Sequence, residues 1–342
     1  SDVYKRQVVV AGRPNLAESA EATVAALQTV LDGCPGATVL PALRRGNVVG
    51  ALSVGLAPVD ADHDGLATLR AAAEGRLELL VLLGADPLND CPDADLARRA
   101  IAGARRVLSI DTFPSESTQH ADVVLAASAY GEKAGTTTNL EGRVTTLAQQ
   151  VTATGTSRPD WMIAVELGLM IGEHSFGADH RLRGVSTVDD VTALVAATVP
   201  GFAAATVEAL RDEPNGVLST PQQAALGEVS FSAPGRNSYD YRLVVSRKLY
   251  DRAVGTQMSR SLVNLAPGSA VHVHPLDLDS LGVSDGDDVK IVSAKAASVL
   301  PIAANNRVPR GVVWSPFNQG GGTIEDIVDG GAATTDVRIE RL

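Results

Sequence analysis

The sequence predicts an α/β domain on a parallel sheet, followed by a small all-β domain, a barrel or a sandwich. Three observations carry this. Apolar strand-like runs alternate with helical patterns between Leu77 and Ala126, as in βαβ units. After Tyr241 the texture changes to short β-rich runs separated by turn signals. The chain has 342 residues, 45% hydrophobic but only 4% aromatic, so two aliphatic cores rich in Val, Leu, Ala and Ile are expected.

In chain order, Val8 to Gly12 reads as a buried strand, and a helix is expected from about Leu16 to Leu31, stopped by Gly33. Gly46 to Ala57 shows little periodicity, and a helix to about Ala73 comes after the acidic turn Asp60 to Gly65. Strands are expected at Leu77–Leu83, Arg106–Ile110 and Asp122–Ala126, with a helix at about Asp93–Ala102. Right-handed crossovers place the strand C-termini on one edge, the ligand edge of open α/β sheets. Asp86, Asp111, Ser128 and Thr136 to Arg143 fall at or after those ends. Ser157 or Asp160 opens the next helix. The domain boundaries are then residues 1–7 as a non-native scar, 8–200 as the α/β domain, 201–240 as a Pro- and Ser-punctuated linker, and 241–342 as the β domain. Strands are expected at Leu243–Ser246, Ala270–His274, Asp288–Ser293, Ser298–Ala303 and Gly311–Ser315.

A net charge of -11 argues against nucleic acid or an anionic membrane surface as the main partner. Cys34 and Cys91 are far apart, with no CxxC or Cys/His ladder, so a cluster held within these residues is nearly excluded and two reduced thiols are expected. No uninterrupted apolar stretch of about 20 residues occurs, so no membrane span is expected. The N-terminus lacks Met and a signal-peptide pattern, and the natural protein is expected to begin upstream.

Phosphate-binding signals are sparse. Gly12 has neither GxGxxG nor GxxxxGK[ST] around it, and Gly320-Gly321-Gly322 reads as a flexible turn. Gly135 to Arg143 is the sharpest candidate: Thr136, Thr137, Thr138 and Asn139 offer hydroxyl and amide partners, and Arg143 a fork for phosphate or carboxylate. The bland reading is an ordered loop whose Asn139, Glu141 and Arg143 pin neighbouring backbone. His272 and His274 lack a third metal ligand and read as rim or packing residues; Asp93 and Asp95 read as helix-capping and dipole groups.

Two segments resemble the molybdopterin oxidoreductases. Gly84-Ala85-Asp86-Pro87 is similar to that family's strand-end Gly-x-Asn-Pro, and Glu132 to Arg143 to its "E-x-x-GT-x-TN-x-EGR" loop. His274 to Val289 is similar to its dinucleotide-binding barrel, "HP-x-DA-x-x-LGI-x-DGD-x-V". The resemblance implies a Rossmann-like α/β domain followed by a double-psi type barrel, and a pterin or nucleotide cradle at Gly84, Asp86, Asp111, Thr136, Asn139, Glu141, Arg143, Gln257, Asn306 and Asn318. Asp86 departs from the usual Asn; a carboxylate there repels a pyrophosphate, so the cradle is expected to be vestigial, with no catalytic and no metal-ligating residue. Within the family, Lys133 to Val144 and Arg158-Pro159-Asp160-Trp161 look most like the G subunit of the proton-pumping NADH:quinone oxidoreductase, complex I. That likeness implies 4Fe-4S and 2Fe-2S clusters in an upstream region, no cofactor in these residues, other hydrophilic subunits as partners, and a cytoplasmic place on the inner face of the membrane. The alternative is the C-terminal part of an active molybdenum enzyme, such as a formate dehydrogenase or nitrate reductase, holding molybdopterin.

Overall fold

The computed structural model describes residues 7–13, 15–176, 181–220, 229–236 and 240–342. Residues 1–6 of the expected scar lie outside that set, as do parts of the expected linker.

The α/β half begins with β1 (Val8–Ala11), α1 (Ala20–Gly33) and β2 (Thr38–Pro41). The two strands pair in parallel as a sheet of their own, joined by the helical crossover that parallel pairing requires. After α2 (Val48–Ser53), α3 (Gly65–Ala73) precedes the main parallel sheet of β3 (Leu80–Leu83), β4 (Val107–Asp111) and β5 (Val123–Ala126). Between β3 and β4 lie the short α4 (Pro87–Asp90) and α5 (Ala94–Gly103).

Strand periodicity decides what each sheet face meets. Leu80, Leu82 and Val107 point to one face and pack with Ala72, Ala100 and Ile101 from α3 and α5. Gly103 sits where the helices touch; a Cβ there would lie 2.4 Å from the Ala72 carbonyl. The opposite face carries Ile110, which packs with Ile163 of α6 (Asp160–Phe176). Val81, Leu83 and Val123 of that face stay about half exposed.

A small antiparallel sheet comes next, made of β6 (Gly135–Thr138), β7 (Arg143–Leu147) and β8 (Val217–Leu218). The helices α7 (Val188–Thr198) and α8 (Val207–Asp212) lie between β7 and β8 in sequence. Here the linker expectation needs correction. Phe202, Ala205 and Leu210 are buried with Val144, and β8 pairs with β7, so residues 201–219 complete the α/β half.

The second half is a closed barrel of β9 (Tyr241–Ser246), β10 (Val271–Val273), β11 (Asp288–Val292), β12 (Ala297–Ala304), β13 (Val312–Pro316) and β14 (Asp336–Arg341). Around the barrel the order is β10-β12-β11-β14-β9-β13. The pairs β10/β12 and β9/β13 are parallel; β11 is antiparallel to both its neighbours, as is β14 to β9. Alternation sends Leu243, Val245, Val271, Val273, Val289, Ile291, Leu300 and Ile302 inward, all fully buried, and Phe317, Ile324 and Ile327 join the same core. Two short helices decorate the barrel, α9 (Val254–Gln257) and α10 (Pro275–Leu281).

Residues 15–19, expected in part to begin the first helix, instead run along the barrel. Leu16 N–H donates to the Val245 carbonyl at 2.8 Å, and Thr335 N–H to the Ala17 carbonyl at 3.0 Å. Buried Asn15 accepts from Val245 N–H and donates to the Leu243 carbonyl. The N-terminal segment therefore ties the two halves together. A second tie runs through α5: Asp93 accepts from Leu96 N–H as its cap, from Gly330 N–H, and from Lys295 of the barrel. Arg247 of the barrel adds a bond to Asp90 at 2.6 Å, and Arg98 one to Asp326 at 2.6 Å.

Candidate functional site

The ligand edge of the main sheet is built by the segments that leave β3, β4 and β5 at their C-terminal ends. Gly84 ends β3 at φ +56°, a left-handed turn that suits glycine, and Pro87 starts α4. Asp86 stands between them, 5% exposed. Its carboxylate accepts from Ser117 N–H (3.1 Å), Ser117 Oγ (2.5 Å) and Asn89 Nδ2 (2.7 Å). Asp111 ends β4 and accepts from Thr112 N–H at 2.7 Å. Burial pushes its carboxyl above the ordinary range against the pull of the backbone donors, and the negative charges of Asp86 and Asp160 add to the rise. Asp160 is itself held by Lys133 Nζ at 2.7 Å.

The Gly135–Arg143 stretch is β6 and the turn that leads into β7. Asn139 Oδ1 accepts from Glu141 N–H and Arg143 N–H, both at 2.9 Å. Arg143 Nη1 donates to the Gly216 carbonyl at 3.1 Å, and its Nε lies 3.6 Å from Glu141. Thr136 faces Thr146 across the hairpin. Gly216 is the third party: at φ +85°, a Cβ would meet the Val144 carbonyl at 2.4 Å. Asn139 and Arg143 thus spend these bonds on the hairpin's own backbone and its neighbour.

The barrel candidates lie elsewhere. Gln257, on α9, donates to the Arg252 carbonyl and lines a cleft of about 250 Å³ together with Arg252, Thr256, Val263 and Gly268. Asn318 is buried at φ +54°; its N–H donates to Glu325 and its carbonyl accepts from Arg252 N–H, but its amide Nδ2 has no partner. Burial raises the Glu325 carboxyl, partly offset by the Asn318 N–H. Asn306 is exposed in the turn after β12. The structure therefore gathers Gly84, Asp86 and Asp111 at one edge, puts Thr136, Asn139, Glu141 and Arg143 in a hairpin, and leaves Gln257, Asn306 and Asn318 on the barrel.

His272 lies on β10, whereas His274 stands at the start of α10. His272 packs on Trp314 with ring centroids 4.7 Å apart, and burial lowers its pKa. His274 has left the strand and caps α10, its Nδ1 accepting from Leu276 N–H. Cys91 is buried, its thiol pushed up to about 11 by desolvation, which makes it a poor nucleophile. Asn15, Asp93 and Lys295, which join the halves, carry no local signal of that role beyond the capping position of Asp93.

A parallel α/β sheet with an open ligand edge, followed by a closed barrel of mixed strand direction, is the two-part architecture of oxidoreductases that hold a pterin dinucleotide. The chain belongs to the molybdopterin oxidoreductase family and carries its dinucleotide-binding domain: the molybdopterin oxidoreductase model matches residues 8–169 and the molybdopterin dinucleotide binding domain residues 241–337. It is similar to the NADPH-Fe(3+) oxidoreductase subunit alpha of Geobacter sulfurreducens, 27% identical over 92% of this chain and 39% of that protein. It is also similar to the G 2 subunit of the NADH-quinone oxidoreductase of Rhizobium meliloti, 28% identical over 74% of this chain and 29% of that protein. The chain thus spans well under half the length of these relatives. Among solved structures, the acetylene hydratase from Pelobacter acetylenicus shares the fold, with a TM-score of 0.55 and 14% identity over 81% of this chain and 46% of that one.

The residues can be tested against a pterin dinucleotide. A pyrophosphate is doubly anionic and binds where backbone donors, Arg or Lys are free. The α/β edge instead carries the buried Asp86 and the half-buried Asp111, with Asp160 near, and Lys133 there is taken by Asp160. On the barrel, the unpartnered Asn318 amide is the kind of group a ligand satisfies. The carboxylates of the α/β edge therefore oppose a pyrophosphate beside them, while the unpartnered Ser128 hydroxyl after β5 and the Asn318 amide of the barrel are polar groups of the kind a ligand satisfies.

No helix among the described residues is long and apolar enough to cross a membrane.

Proposed function

We propose that this chain is the C-terminal scaffold part of an NAD(P)H-linked oxidoreductase component of the same type as the G subunit of complex I. In this reading, iron–sulfur clusters in an upstream region carry electrons from NADH toward quinone. The α/β domain and barrel brace that region against other hydrophilic subunits on the inner face of the cell membrane, and molybdopterin is absent. One observation carries the reading: the edge where the family's dinucleotide would meet the α/β half is lined by carboxylates already bonded within the chain. The two relatives, an NADPH-Fe(3+) oxidoreductase subunit and an NADH-quinone oxidoreductase subunit, support it.

The runner-up, the C-terminal part of an active molybdenum enzyme, is favoured by the Asn318 amide without a partner. Deleting the gene separates the two. The scaffold reading expects loss of NADH-driven quinone reduction in membranes, with formate oxidation and nitrate reduction unchanged. Loss of either of the latter with NADH oxidation intact overturns it.

A further inference from the structure

The first βαβ unit has the sequence of a buried element and yet no core. Val8-Val9-Val10-Ala11 is a continuous apolar run without polar alternation, the pattern of a strand covered on both faces. The structure leaves one of those faces open. Val8 is 60% exposed and Val10 66%, and Leu40, which pairs with Val10 across β2, is 41% exposed on the same face. Of α1, which crosses between the strands, only Ala22 is buried. Among the described residues, none of β1, α1 or β2 belongs to the hydrophobic clusters that form the cores of the barrel and the sheets.

The same unit is unfinished as a sheet. β1 and β2 pair with each other alone among the described residues, so each keeps an open edge. Thr38 N–H donates to the Gln7 carbonyl and Ala42 N–H to the Ala11 carbonyl, a register that turns the N–H groups of Val8 and Val10 toward the open edge of β1. Two strands alone do not make a stable sheet, and parallel strands occur with both faces covered. A parallel neighbour for β1 needs a crossover connection. A strand and helix that precede β1 in the same polypeptide would supply it, just as α1 joins β1 to β2. Such a polypeptide has the length, since this chain spans 39% and 29% of the two relatives above.

We propose that a region of the same polypeptide upstream of Val8 completes this unit: it adds a strand parallel to β1 at its open edge and lays an apolar segment over Val8, Val10 and Leu40. The open face of residues 8–41 is then an internal surface of the whole protein and not a seat for a second polypeptide. This rests on the reading above that such a region lies upstream, and adds where it packs.

Two measurements on the full-length protein test it. With p-benzoylphenylalanine in place of Val10, irradiation should join position 10 to a residue upstream of Val8, found by peptide mapping, with the product still running as one polypeptide on a denaturing gel. A link to another polypeptide, or no link at all, overturns the proposal. Site-resolved hydrogen exchange needs no substitution. In the unaltered protein the Val8 and Val10 amides should exchange about tenfold or more slowly than in an unstructured peptide, as slowly as those of Val9 and Ala11. Free exchange at Val8 and Val10 beside protected Val9 and Ala11 means an open edge and overturns it. If the gene encodes no upstream region, the reading above and this inference fall together. A gene that encodes one, with an open edge and no link, overturns this inference alone, and iron and acid-labile sulfide in the same preparation report on the function separately.

Discussion

The two halves bury their apolar residues in opposite ways. The barrel closes its hydrogen-bond ladder on itself and holds Leu243, Val271, Ile302 and Phe317 entirely away from water. The main parallel sheet has three strands, two free edges, and a face on which Val81, Leu83 and Val123 stay about half exposed. The polar groups divide differently. At the α/β edge Asp86 and Asp111 are consumed by Ser117, Asn89 and Thr112. Among the described residues, buried side-chain atoms without a partner occur in both halves: Ser109 Oγ, Ser128 Oγ and Trp161 Nε1 in the α/β half, and the Asn318 amide and the Thr334 and Thr335 hydroxyls in the barrel half.

The contrast in packing gives the largest expected effect. Phe317→Ala should cost about 3–5 kcal/mol in urea unfolding, the range for emptying a fully buried aromatic site. Leu83→Ala, at a side chain 49% exposed, should cost well under that. Equal losses would mean that the sheet face is covered and the comparison is wrong.

Next comes the tie between the halves. Asp93→Ala removes the α5 cap, strands Lys295 and frees Gly330 N–H, an expected loss of about 3 kcal/mol. The same carboxylate sets a pH dependence. Burial alone would raise its pKa, but the bonds from Lys295, Leu96 and Gly330 outweigh it, so the pKa is lowered. A lowered carboxyl contributes stability above its unfolded value, lost as pH falls through the folded one, so the tie should weaken below about pH 4. Thermal unfolding of the wild type and Asp93→Ala at pH 7 and pH 3 should converge at the lower pH. A constant gap between them would contradict this.

Smaller again is Asp86→Asn, which removes one acceptor from the Ser117 and Asn89 bonds. A loss of about 1–2 kcal/mol in chemical denaturation is expected, since one buried donor is left unsatisfied. A stabilised variant would show that the carboxylate is kept for a ligand and not for its own loop. Arg143→Ala should have the least effect, about 0.5–1 kcal/mol for the partly exposed bond to Gly216.

The sequence showed these halves unequally. Continuous Leu/Val runs ending in Gly84, Asp111 and Ala127 announced the parallel sheet, although Val81, Leu83 and Val123 leave one of its faces half exposed. The hairpin at Asn139 was legible as either a cradle or a self-bonded turn, and its bonds are local: Asn139 to Glu141 and Arg143. What could not be read was non-local. Asn15 finds its partners more than two hundred residues away in β9, and Pro14-Asn15 looks like any turn. Residues 217–218 are too short to signal a strand, and only β7 makes them one. His274 carried strand-like neighbours but was claimed by Pro275 as a helix cap. The site edge was half legible: Asp86 stood out as a departure, but Ser117, which takes up its carboxylate, lies 31 positions on, with nothing between to link them.

Everything proposed for this family member turns on whether it holds a pterin dinucleotide, which its α/β edge opposes. Molybdenum and extractable pterin, measured per mole of the protein purified from native cells, test this most directly. Neither is expected above background; in the scaffold reading, bound iron and acid-labile sulfide accompany the protein. Stoichiometric molybdenum with a released pterin dinucleotide would contradict it.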